Sequence, residues 1–126
     1  MTRRSPTQAS GDAAEARALD FLLERGLRLL ERNVSSRLGE IDLVMRDRDE
    51  VVFVEVRTRR GAPGLAAESV DAAKLRRMWE AAAGYCEQHG IGFEAARIDV
   101  VAVDLDGRGV ARSVEHFRGV EVPSDD

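Results

Sequence analysis

Apolar positions along this chain change period from one stretch to the next. Between Asp12 and about Arg25, Ala14, Ala18, Phe21 and Leu22 recur at three- and four-residue steps. That spacing predicts a helix, and Gly26 stands where it should stop. LRLLERNV (27–34) predicts a first strand. In LGEIDLVMR (38–46) the period is two, with Ile41, Leu43 and Met45 expected on one face. The polar cluster DRDE (47–50) predicts a turn, and VVFVEVRTR (51–59) the returning strand of a hairpin. RGAPGLAA (60–67) predicts a loop. From about Ser69 to His89 a second helix aligns Leu75, Met78, Trp79, Ala82, Tyr85 and Cys86. ARIDVVAVDL (96–105) predicts a buried strand, DGRG a turn, and VARSVEHF (110–117) a last edge strand. The order α-β-β-β-α-β-β predicts an α/β layer with a central mixed sheet flanked by helices.

One strand breaks its own pattern. In FVEVR (53–57), Glu55 and Arg57 share a face with Val51 and Phe53, which places a charged pair at the wet end of an apolar surface. With a loop over 47–50, Arg46 faces Val51 and facing positions sum to 97, so Asp42 falls opposite Glu55 and Glu40 opposite Arg57. Facing carboxylates repel unless something neutralises them. A divalent cation such as Mg²⁺ or Mn²⁺ held by Asp42 and Glu55 is one solution. A cation from Arg57 or Arg59 bridging them is the other, and on spacing alone the more economical. The two solutions differ in an expected outcome. An unneutralised pair should be relieved by Glu55→Gln, whereas a bridged one should be weakened by it.

Glu15 flanks the first helix's apolar stripe. It fits a place in that site, and equally a capping box with Asp12. Lys74 lies near the start of the second helix, beside its apolar stripe, and either stays in water or leans over the carboxylates. Arg57, Arg59 and Arg60 in RTRR, with Arg76 and Arg77 beside Lys74, offer local phosphate contacts. Asp99 interrupts an apolar strand and is expected to satisfy backbone or arginine donors.

Length and charge narrow the classes. The chain has 126 residues, suiting one domain, expected over 11–118 between a loose tail at 1–10 and a frayed one at 119–126. A net charge of −4 argues against nucleic-acid binding through the overall field and leaves only local basic patches. No window suits a membrane span, and the start does not read as a secretory signal. One cysteine, Cys86, and two scattered histidines make neither a disulfide nor a zinc pattern, which fits a reducing cytoplasm. Of 19 basic residues only Lys74 is a lysine, so an arginine elsewhere carries little meaning beyond its charge.

GDAAE (11–15), Asn33, GEIDLV (39–44), FVEVR (53–57), Lys74 and RIDVVAV (97–103) together resemble the YraN family of small bacterial proteins. The resemblance covers most of the chain. It implies a restriction-endonuclease-like fold, similar to archaeal Holliday-junction resolvases of the PD-(D/E)xK nuclease superfamily. By that resemblance Asp42 is the metal-binding aspartate, Glu55 the acid of the (D/E)xK element, and Glu15 the helical glutamate. Arg57 then stands at the signature lysine position, and Lys74 could supply the ammonium instead. Arginine keeps the charge there but cannot give up its proton. The implied activity is metal-dependent hydrolysis of phosphodiesters in structured or branched DNA, by a homodimer if two strands need two sites. The alternative is a non-catalytic nucleic-acid-binding or adaptor module on the same fold.

Overall fold

The hairpin expected from the turn at DRDE sets the frame of the molecule. In the computed structural model, which describes residues 6–61 and 64–122 with side chains from Gly11 onward, β2 (Gly39–Asp47) and β3 (Glu50–Arg60) pair antiparallel. Asp47 pairs with Glu50, so the turn is only Arg48–Asp49. Arg48 takes the positive φ of 56° that such a tight connection demands. Arg46 faces Val51 and Leu43 faces Val54, which is the register expected from the sequence.

β1 (Arg28–Ser36) lies outside β2, while β4 (Ala96–Leu105) runs parallel to β3 and carries β5 (Ala111–Phe117) on its other edge. The sheet order is therefore β1-β2-β3-β4-β5. The parallel pair needs a crossover, supplied by the short helix α2 (Leu65–Glu68) and the long helix α3 (Ala72–His89). Helix α1 (Pro6–Glu24) covers the other face. The expected α/β architecture and element order hold.

Two apolar layers explain the composition of the strands. On one face Ala14, Ala18 and Leu22 of α1 pack on Leu43, Met45, Val52, Val54 and Val101. On the other, Met78, Ala82, Tyr85 and Cys86 of α3 pack on Val44, Val51, Phe53 and Ile98. Central strands covered on both faces must be apolar at consecutive positions, hence VVFV and VVAV. Trp79 is only partly buried, against Phe93 at 5.9 Å between ring centres.

Several boundaries differ from those expected. α1 starts at Pro6, before the expected Asp12, so Asp12 lies inside the helix and is not its cap. Residues 1–5 and 123–126, the ends of the two expected tails, lie outside the described residues. Gly119 donates to Asp99 at 2.9 Å and Val120 to the Ile98 carbonyl at 2.7 Å, which ties 119–120 to the sheet. The expected loop at 60–67 contains α2, because the buried Asp104 accepts from the Gly64 and Ala66 amides, both at 3.1 Å, and so organises that turn. Finally, Ile41 does not share a face with Leu43 and Met45. They pack under α1, while Ile41 joins the α3 layer.

Candidate functional site

The break between Ile41 and Leu43 falls on Asp42. The β2–β3 ladder runs from Asp47↔Glu50 to Leu43↔Val54 and ends there, although β3 continues along β4 to Arg60↔Leu105. Beyond Leu43, β2 stays with β1 and leaves β3. The expected facing pairs Asp42/Glu55 and Glu40/Arg57 therefore lie past the ladder, in the opening between the strands. The Val56 amide has lost its strand partner there and donates to Asp42 Oδ2 at 2.8 Å. The same gap brings the Asp42 carboxylate beside Glu55.

Electrostatics within this gap are strained. Burial, the Glu55 charge, and smaller contributions from Glu15 and Glu40 push the Asp42 carboxyl up to about 7, against the opposing Val56 hydrogen bond. Glu15 is also raised, by burial first, with Arg32 at 3.6 Å opposing. Glu55 is 5% exposed and is addressed by two cations at one oxygen, Lys74 Nζ at 2.9 Å and Arg57 at 3.6 Å. Lys74 reaches it because Asp71 caps α3, accepting from the Lys74 amide at 2.8 Å, which sets the lysine in the first turn over the end of β3.

Asp42, Glu55 and Lys74 converge, and Glu15 stands behind Asp42. Arg57 touches Glu55 but spends its stronger contacts elsewhere, donating to Ser69 Oγ at 2.9 Å and to the Ser69 carbonyl at 3.4 Å. It thus ties β3 to the end of α2. The cation expected from Arg57 or Arg59 to bridge the two carboxylates does not do so: Lys74 and, more loosely, Arg57 reach Glu55 alone, and the donor on Asp42 is the Val56 amide. Arg59 turns back onto the Thr58 carbonyl at 2.6 Å. Arg59 and Arg60 are exposed at the end of β3, Arg76 is half-buried on α3, and Arg77 lines the cleft with Glu40, Glu55 and Lys74. That cleft measures about 130 Å³, and a larger one of about 580 Å³ opens beyond Leu38 toward Ser36 and Gln88.

Two contributors, both noted in the sequence but given no role in the site there, belong to it. Glu40 belongs to the acidic group around Asp42. Asn33 sits in β1 with a φ of 52°, and with its amide nitrogen turned to the carboxylates it donates to Glu15 Oε1 and Glu40 Oε1, both at 3.1 Å. An asparagine inside a strand was the available signal, since asparagine is depleted from strands.

Each of the two central carboxylates keeps one oxygen outside these contacts. Val56 takes Asp42 Oδ2 and the two cations take Glu55 Oε1, so among the described residues no hydrogen bond uses the other oxygen of either carboxylate. Two carboxylates completed by water suit Mg²⁺ or Mn²⁺. No three histidine, cysteine, aspartate or glutamate side chains converge as ligands among the described residues, so at most Asp42 and Glu55 would ligate a cation directly.

Residues 14–103 match the uncharacterised protein family UPF0102. The chain belongs to that family. It is 52% identical over 106 residues to a UPF0102 protein of Stutzerimonas stutzeri strain A1501, covering 82% of this chain and 88% of the relative. A UPF0102 protein of Anaeromyxobacter dehalogenans strain 2CP-C is 50% identical over 111 residues, with 87% and 81% covered. One from Paenarthrobacter aurescens strain TC1 is 43% identical over 111 residues, with 87% and 91% covered. The YraN-like resemblance is borne out at this level. The UPF0102 span includes Glu15, Asn33, Asp42, Glu55 and Lys74. No helix among the described residues is long and apolar enough to cross a membrane.

Proposed function

We propose that this chain is a divalent-cation-dependent nuclease of the PD-(D/E)xK type, hydrolysing phosphodiesters in structured or branched DNA. The observation that carries this reading is the convergence of Asp42, Glu55 and Lys74 where β2 parts from β3, with Lys74 Nζ 2.9 Å from Glu55. Asp42 and Glu55 would hold Mg²⁺ or Mn²⁺, and Glu15 would reach its water shell. A cation held there supplies charge neutralisation for the phosphate and a more acidic bound water. The remaining work falls to the chain itself. Lys74 holds Glu55 in place, and its ammonium is positioned to stabilise charge developing on a phosphate at the cleft. Arg77 lies along the same cleft as a phosphate contact, with Arg59, Arg60 and Arg76 as further contacts for the strand. A homodimer would present two such sites to two strands.

A second reading, a non-catalytic nucleic-acid-binding or adaptor module, draws support from Arg57. At the position of the signature lysine, that side chain is committed to Ser69. Cleavage assays on branched, duplex and single-stranded DNA with Mg²⁺, Mn²⁺ or EDTA separate the two. The nuclease reading expects metal-dependent cutting that Asp42→Ala abolishes and Lys74→Ala lowers by about a hundredfold or more. Arg57→Ala should retain cutting to a larger extent than Lys74→Ala. Binding without cutting under every metal favours the module, and cutting unchanged in Asp42→Ala contradicts the assigned roles.

A further inference from the structure

Asn33 combines two features that seldom meet in one residue. Its backbone sits in the left-handed region at a φ of 52° in the middle of β1. The β1–β2 register pairs Arg32 with Leu43 and Val34 with Ile41, but no 33↔42 partnership lies between them. The chain therefore turns at Asn33 opposite Asp42, at the step where Ile41 and Leu43 change faces. Asparagine is among the few residues other than glycine that tolerate this backbone. Its neighbours there are carboxylate oxygens, so the amide nitrogen is assigned to their side, and in that orientation it donates to Glu15 of α1 and to Glu40 of β2, each at 3.1 Å.

We propose that Asn33 is a positioning residue, which clamps Glu15 and Glu40 beside Asp42 so that they face the water shell of the bound cation. This rests on the metal-site reading above. The chemistry favours a neutral donor in this place. A lysine or arginine would gather the same carboxylates but cancel the negative potential that attracts a cation. An aspartate would tolerate the backbone but donate nothing. Glycine would take the turn but remove the donor that joins the two glutamates, leaving Glu15 to Arg32. Groups in the outer shell of a metal site commonly change its affinity ten- to a hundredfold.

Two readouts separate this role from a purely backbone one. In metal-free protein, the Asn33 side-chain amide signals followed by NMR should move on Glu15→Gln or Glu40→Gln. Signals that ignore both substitutions overturn the clamp, whatever the metal does. In the second, Asn33→Gly keeps the left-handed turn, so its metal-free melting temperature should stay within a few degrees of wild type. Its Mn²⁺ affinity, measured by calorimetry, should fall about tenfold or more. Asn33→Ala should lose affinity and also melt lower, because alanine resists this φ. Equal Mn²⁺ affinity in wild type and Asn33→Gly overturns the positioning role. A wild type that takes up no Mn²⁺ sinks the metal reading and the positioning role together, while the amide signals still report whether the clamp exists.

Discussion

Asp42 carries the largest electrostatic tension in the site, and its consequence is a dependence on pH. Its folded carboxyl titrates near 7, above the ordinary value of 3.8, because burial and the Glu55 charge disfavour ionisation. A carboxyl raised in this way binds its proton more tightly folded than unfolded. Its contribution to stability is therefore fully present below about pH 4 and is lost as pH rises through 7. The loss is on the order of a few kcal/mol. Metal-free wild type should accordingly melt lower at pH 8 than at pH 5, and Asp42→Asn should flatten that slope and melt higher at pH 8. Thermal melts across pH in EDTA check this, and an Asp42→Asn that melts lower at every pH would count against it. The sequence placed Asp42 and Glu55 together through the hairpin register, but it could not say which would bear the repulsion. It left two outcomes for Glu55→Gln, relief of an unneutralised pair or weakening of a neutralised one. The structure gives Glu55 to Lys74 and, more loosely, Arg57, so removing its charge takes the partner from Lys74, and the relief belongs to Asp42.

At the scale of elements, local patterns were legible and their interruptions were not. The hairpin register followed from turn length, because period-two alternation propagates from a fixed turn. The end of the ladder at Leu43↔Val54 coincides with the left-handed turn of β1 at Asn33 and with the Asp42 carboxylate taking the Val56 amide, features that no alternation encodes. The glycines at 61 and 64 marked a loop, yet α2 within it depends on Asp104, forty residues from Gly64 in sequence. This latch gives a further prediction. Asp104 is 6% exposed, accepts from Gly64, Ala66 and Ser113, and is held below the ordinary carboxylate range by those bonds, which outweigh its burial. Asp104→Ala leaves two backbone amides without that acceptor and should cost about 2–4 kcal/mol, measured by urea unfolding. A change below about 0.5 kcal/mol would mean that α2 holds itself.

Across the whole molecule, the two sides of β3 solve the buried-carboxylate problem differently. On β4, Asp99, fully buried and level with Val54, takes Arg97 at 3.0 Å, His116 at 2.8 Å and the Gly119 amide at 2.9 Å, and these hold its carboxyl below the ordinary range despite burial. The sequence reading of Asp99 as a satisfied structural acid holds. On β2, Asp42 has one backbone donor and three acidic neighbours. A net charge of −4 says nothing of this contrast, which motivates the metal-site reading.

The most direct test of that reading is the melting temperature at pH 8 in EDTA and in millimolar Mn²⁺, for wild type and Asp42→Asn. A ligand at a hundredfold excess over its Kd stabilises the native state by about 2.7 kcal/mol. For a domain of this size that is a rise of several degrees or more. The metal-site account predicts this rise in wild type, together with an Asp42→Asn protein that melts higher in EDTA and gains nothing from Mn²⁺. A wild-type melt unmoved by Mn²⁺, or an equal rise in both proteins, would contradict it.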